Sequence, residues 1–217
     1  MAGPLAIFDM DGTIVDSMFY WNRAPSCVLR EMGIVLDDEA DRQLSQRSFY
    51  HLPAFLVDYF SLPCRPDELA CAIDSWVLER YRRDVLLIPS VQDYLRSLQK
   101  KQVTCILLTA SKEPFIEAML ERHHLNGCFS ATFSTNALQM EKSDPAVFRF
   151  LFDRFQCKPQ DCTLFDDSAY AVRTASNLGI RTVGILDPWF PAHHEELKRI
   201  CNRTIQRYSE LLRDDVF

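Results

Sequence analysis

Two carboxylates separated by one residue, Asp9 and Asp11, stand at the end of the apolar run Leu5-Ala6-Ile7-Phe8 and are followed by Gly12 and Thr13. A short apolar run ended by turn residues reads as a buried strand. Alternate strand residues share a side, so Asp9 and Asp11 are expected to point together while Met10 turns away. Two acids in one small mouth repel unless something positive lies between them, and a divalent cation with a phosphate group meets that need. The chemistry open to such a pair is phosphoryl transfer, in which one carboxylate attacks phosphorus and the other moves protons.

Three later segments follow apolar runs of their own. Ile106-Leu107-Leu108 leads to Thr109 and Ala110, Met140-Glu141-Lys142 precedes Ser143-Asp144-Pro145, and Thr163-Leu164-Phe165 leads to Asp166-Asp167-Ser168. Each has an ordinary explanation alone: Asp-x-Asp-Gly is common in turns, Lys142 suits a solvated loop, and Asp166-Asp167-Ser168 could be the cap and first turn of a helix. Their joint order at the ends of apolar runs is what points to catalysis.

The elements that must position these residues alternate in type. From Ser90 onward the pattern gives helices over 91–99, 114–122, 146–155 and 169–178, and strands over 103–108, 128–134, 162–165 and 180–186. Gly179 marks a helix end. Alternation of this kind predicts a doubly wound parallel sheet of the α/β class, with ligands beyond the carboxyl ends of its strands. After a loop over 13–16, the stretch to about residue 88 reads as helical throughout. Helices are expected from Met18 to near Gly33 and over 37–46, 49–60 and 66–83, with no strand pattern between them. The tail predicts a helix over 192–201, a short edge strand over 203–205 and a final turn.

In order and approximate spacing the four segments resemble the motifs of the haloacid dehalogenase-like superfamily, over nearly the whole chain. Within it the sequence is most similar to the branch of phosphatases and phosphoglucomutases that carry a small helical cap after the first motif. The resemblance implies a Rossmann-like core over 1–15 and 89–217 with a cap over 16–88. It implies that Asp9 is the nucleophile and Asp11 the general acid and base, with the Asp11 carbonyl on a metal. Mg²⁺ takes hard oxygen ligands and keeps several waters. Asp9, Asp167 and Asp166 are the expected side-chain ligands, with the Asp11 carbonyl. Thr109 and Lys142 would hold the phosphoryl oxygens, Ala110 would line the substrate site, and Gly12 lets the backbone turn beside the phosphate. Two departures stand out. The position four residues after Asp167 is Ala171 rather than a second acid, which leaves open whether Asp166 ligates directly. The stretch from Thr135 to Glu141, before Lys142, also lacks the glycine often found there.

The expected function is Mg²⁺-dependent hydrolysis of a small phosphate monoester through an aspartyl-phosphate. A sugar-phosphate mutase uses the same core residues and is the nearest alternative. Dehalogenation would leave Asp11, Asp166 and Asp167 without a task, and a non-enzymatic phospho-ligand or protein-binding module would not need an intact nucleophile and acid. In the helical stretch, Arg47 within Gln46-Arg47-Ser48 is the cation singled out for substrate contact. Trp189-Phe190 are expected to pack near the active-site rim, and Phe19-Tyr20-Trp21 to be core residues with one face near the cap entrance. The pairs His123-His124 and His193-His194 are expected at the surface, because adjacent residues on a helix diverge.

With 24 basic and 30 acidic residues the net charge is −6, which opposes nonspecific binding to nucleic acid or an anionic membrane. A phosphorylated substrate must therefore meet local positive groups. No stretch has the length of a membrane span, and the N-terminus lacks a signal-peptide pattern. The eight cysteines form no C-x-x-C pair, so reduced thiols in a cytoplasmic protein, monomeric or weakly dimeric, are expected.

Overall fold

The computed structural model describes residues 3–36 and 52–212. Arg47, the expected helix over 37–46 and the start of the one over 49–60 lie outside the described residues. The chain divides into two compact units, one holding the described residues up to Ser17 together with those from Val85 on, the other running from Met18 to Asp84.

The first unit is built on a six-stranded sheet whose neighbours all pair in parallel. Its strands are β1 (Leu5–Phe8), β4 (Thr104–Thr109), β5 (Ala131–Ser134), β6 (Cys162–Asp166), β7 (Arg181–Ile185) and β8 (Arg203–Ile205). The spatial order is β5-β4-β1-β6-β7-β8. The chain thus builds outward from β1 to one side, then returns to add β6, β7 and β8 on the other. Such a reversal opens a crevice at the carboxyl ends of the strands beside β1.

Strand β1 is fully buried, and its pleat separates two packing layers. Leu5 and Ile7 join Ile106, Leu108 and Leu164 against Val147, Phe148 and Leu151 of the helix Pro145–Phe155. Phe8 faces the other way and stacks on Phe165 with centroids 4.4 Å apart, beside Tyr208 and Tyr94. Tyr94 belongs to the helix Val91–Lys100, so that helix covers the opposite face. The helix Pro145–Phe155 starts where Asp144 accepts the Ala146 N–H at 2.8 Å, with Pro145 at its first position, and this fixes the loop carrying Lys142.

Three local features differ from the sequence expectation. The segment over 13–16 is not an open loop. The Met10 carbonyl accepts the N–H groups of Thr13, Ile14 and Val15, and the chain closes into the two-residue strand β2 (Val15–Asp16), paired antiparallel with β3 (Leu86–Leu87). Two residues carry no readable periodicity, so this pair was invisible in the sequence. β5 begins at Ala131, because the Cys128 N–H still turns back to the Leu125 carbonyl. Finally, a one-turn helix, Thr135–Leu138, stands before Lys142, with the Ser134 hydroxyl accepting the Ala137 N–H.

The second unit contains the helices Met18–Glu31, Leu52–Phe60 and Pro66–Arg83. In the last, Pro66 opens the first turn, the Glu68 carboxylate accepts the Arg65 N–H at 2.8 Å, and Arg80, Arg82 and Arg83 stand in the last turn. Acid at the start and base at the end complement the helix dipole. Trp21 donates to the Tyr81 hydroxyl at 3.4 Å. Phe148 is fully buried between sheet and helix, so Phe148→Ala should lower the unfolding stability of the first unit by about 3–5 kcal/mol, measured by urea denaturation.

Candidate active site

Asp9 follows β1 directly, and its N–H donates to the Phe165 carbonyl of β6 at 2.9 Å. That bond extends the sheet by one residue and fixes Asp9 beside the end of β6, where Asp166 is the last strand residue and Asp167 the next. Among the described residues, oxygens of Asp9, Asp166 and Asp167 come within 4.8 Å of one another, and all three residues are buried. Lys142 is buried with them. Its ammonium lies 2.9 Å from Asp9 Oδ2 and 2.7 Å from Asp166 Oδ2. Asp166 also accepts the Ser168 N–H at 2.8 Å through Oδ1. Both its oxygens are therefore engaged, one of them in holding the lysine.

The electrostatics follow from this crowding. Burial is the largest influence on Asp9 and, with Asp166 and Asp11 adding, raises its pKa from the ordinary 3.8 to about 7 despite the opposing Lys142. Asp167 is pushed well above the carboxylate range by burial first, then by Asp9 and Asp166. Burial alone would lower Lys142, but Asp166 and Asp9 outweigh it and hold the ammonium well above the usual lysine range. Among the described residues the buried carboxylates here outnumber the buried cation Lys142, and their donors are hard oxygens. The site therefore suits a divalent metal ion.

Asp11 is only half-buried, and its carboxylate lies outside the triad. Two serine hydroxyls grip it, Ser17 on Oδ1 and Ser111 on Oδ2, each at 2.6 Å. Thr109, at the end of β4, is buried and its hydroxyl accepts the Ser111 N–H at 3.1 Å. Ala110 is exposed between them. Gly12 has φ +69°, and a Cβ there would stand 2.7 Å from Asp167 Oδ2 and 2.9 Å from Asp187 Oδ2. Glycine is thus required both by backbone conformation and by space. Asp9, Asp11, Gly12, Thr109, Ala110, Asp166 and Asp167 sit at or just beyond strand ends of one unit, and Lys142 joins them from the loop before the helix Pro145–Phe155.

Sequence reasoning missed Ser17, Ser111 and Asp187. A serine two residues past Thr109 was the only signal for Ser111. Asp187 lay hidden in an Asp-Pro turn. It is buried, and Oδ1 accepts the Trp189 N–H at 2.9 Å. Burial, its largest influence, raises its pKa against that hydrogen bond. The histidine pairs split: His124 and His193 are exposed, whereas the half-buried His123 and His194 meet the backbone carbonyls of Val85 and Asp187.

The sequence profile of the haloacid dehalogenase-like hydrolases matches residues 6–185. The chain belongs to that family. A Drosophila melanogaster protein named as a probable pseudouridine-5'-phosphatase is 28% identical over 188 residues, covering 84% of this chain and 81% of that protein. Phosphoglycolate phosphatase of Pseudomonas putida KT2440 is 27% identical over 83% of this chain and 68% of its own length. Among solved structures, a candidate beta-phosphoglucomutase of Thermotoga maritima shares the fold with a TM-score of 0.81 at 19% identity, over 97% of each chain. No helix among the described residues of this hydrolase is long and apolar enough to cross a membrane.

A raised pKa means that the folded hydrolase keeps the Asp9 proton after the unfolded chain has lost it. The metal-free fold should therefore lose stability as pH rises from about 4 to about 7. Thermal melts should show a lower Tm at pH 7.5 than at pH 5.5 without metal, changing roughly 2–4 °C per kcal/mol for a chain of this size. Asp9→Asn should lessen the decline, and Mg²⁺ should raise Tm more at the higher pH. A flat metal-free profile would contradict the buried-carboxylate account.

Proposed function

We propose that this enzyme hydrolyses a small phosphorylated metabolite through a phospho-aspartyl intermediate on Asp9. That it is a phosphate-monoester hydrolase rests on its family and on relatives that are phosphatases; the mechanism is inferred from the site. One observation carries it: Asp9 is held between the end of β6 and the Lys142 ammonium, with the carboxylate of Asp11 close enough to act electrostatically on it.

The Asp9 oxygen forms the bond to phosphorus as the bond to the ester oxygen breaks. Asp11 donates a proton to that departing oxygen, which leaves as an alcohol. Water then attacks the phospho-aspartyl group, Asp11 takes back a proton, and inorganic phosphate leaves with Asp9 restored. Lys142 holds a phosphoryl oxygen, aligned by Asp166. The Thr109 hydroxyl and Ser111 stand at the adjoining strand end to receive the others. Gly12 leaves the approach to Asp167 open.

Asp9 and Asp167, with the Asp11 carbonyl, would hold Mg²⁺, and Asp166 serves chiefly to fix Lys142. When bound, the ion offsets the negative charge of nucleophile and phosphate as they approach.

Hydrolysis of an aryl phosphate should require Mg²⁺ and fall by at least about a thousandfold in Asp9→Asn, since an amide neither attacks phosphorus nor ligates well. Full turnover in that variant, or in chelator, excludes the mechanism. Asp11→Asn should slow formation of the intermediate least for esters with the most acidic leaving alcohols. Single-turnover rates across a series of aryl phosphates test this, and equal losses throughout would remove Asp11 from proton transfer.

A further inference from the structure

Asp187 follows β7 and holds one carboxylate oxygen that the proposed mechanism does not use. Oδ1 is occupied by the Trp189 N–H. Oδ2 is buried and has no hydrogen-bond partner, although Asp187 itself is only 4% exposed. A buried carboxylate oxygen without a donor is costly, and native structures rarely leave one so. The direction it takes is informative. The space above the Gly12 α-carbon lies 2.9 Å from Asp187 Oδ2 and 2.7 Å from Asp167 Oδ2, so both oxygens line one small gap. Among the described residues no donor reaches Asp187 Oδ2, and the geometry leaves that donor to something that enters the gap.

We propose that Asp187 is a positioning residue of the metal site: its free Oδ2 accepts a hydrogen bond from a water of the ion's hydration shell and so helps hold the ion on Asp167. Mg²⁺ keeps several waters when few carboxylates bind it, and each of these is a strong donor. Outer-shell acceptors of this kind change metal affinity by roughly 10–100-fold. The absence of a side chain at Gly12 is then explained twice, since it keeps open the gap that such a water fills. The proposal rests on the reading of Asp9 and Asp167 as metal ligands.

The test is calorimetric titration of the metal-free protein with MgCl2 alone, for wild type, Asp187→Asn, Asp187→Ser and Asp167→Asn. In Asp187→Asn the amide oxygen can keep the Trp189 bond, which leaves a donor where an acceptor is needed. Asp187→Ser keeps a small acceptor for Trp189 should the amide disturb folding. The expected result is a rise in the Mg²⁺ Kd of at least about tenfold in both, with the metal-free Tm not reduced and the KM for aryl phosphate unchanged at saturating Mg²⁺. An Mg²⁺ Kd within twofold of wild type overturns the proposal, for it would mean that Asp187 bonds directly to Asp167 through a proton, which an amide imitates, or only packs. A fall in Tm without a change in Kd overturns it as well, by making the role structural. If wild type binds Mg²⁺ no better than Asp167→Asn, the metal reading itself fails and this inference falls with it.

Discussion

The site depends on the buried ammonium of Lys142. Lys142 touches Asp9 and Asp166 at once, and without it the floor of the crevice would hold only mutually repelling carboxylates. A buried ion pair is a poor source of net stability, because desolvation offsets most of the attraction. Its value here is geometric. It sets Asp9 and Asp166 around one point, and Asp166, with its other oxygen on the Ser168 N–H, ties that point to the start of the next helix. Sheet, loop and helix are thereby brought to register at the carboxylate cluster.

The scaffold supplies rigidity from beneath. The stack of Phe8 on Phe165 lies just before Asp9 and Asp166 in adjacent strands. The residues that precede the two acids are therefore packed face to face and cannot shift independently. In a close-packed interior small displacements are resisted, which is how apolar side chains beneath the site govern the spacing of the acids above them. Polar groups complete the mouth from separate directions, with Ser17 and Ser111 on Asp11, Thr13 on Asp167 and Ser134 on the Ser111 carbonyl.

Much of this was legible in the sequence where a physical signal was strong. The apolar run before Asp9 marked β1, and the alternation after Ser90 marked the parallel sheet. The helix expected over 66–83 is the observed Pro66–Arg83, which opens with proline and two acids. Signals failed where geometry, not composition, does the work. Nothing in Ser17 or Ser111 announces that both hydroxyls converge on one carboxylate, because they lie 94 residues apart in the chain and meet only through folding. Asp187 carried no signal, standing in an Asp-Pro turn where the Phe190 N–H returns to its carbonyl. Its second oxygen is a fact of three dimensions. Strands of two residues, such as β2 and β3, are below the length at which periodicity exists.

That small pair has a consequence for how such a chain can change. Asp16 and Leu86 are partners across β2 and β3, so the segment between them leaves and rejoins the sheet-bearing unit at a single joint. Antiparallel neighbours can be linked by a turn of about two residues. The whole intervening segment is thus topologically equivalent to a hairpin loop, merely a very long one. Lengthening such a loop costs little closure entropy, on the order of 0.6 kcal/mol per doubling. Insertions, deletions or wholesale exchange of the helical segment can accumulate there without moving a strand of the sheet. The joint acts as a socket, in which the helical segment can change while the acids at the strand ends keep their places.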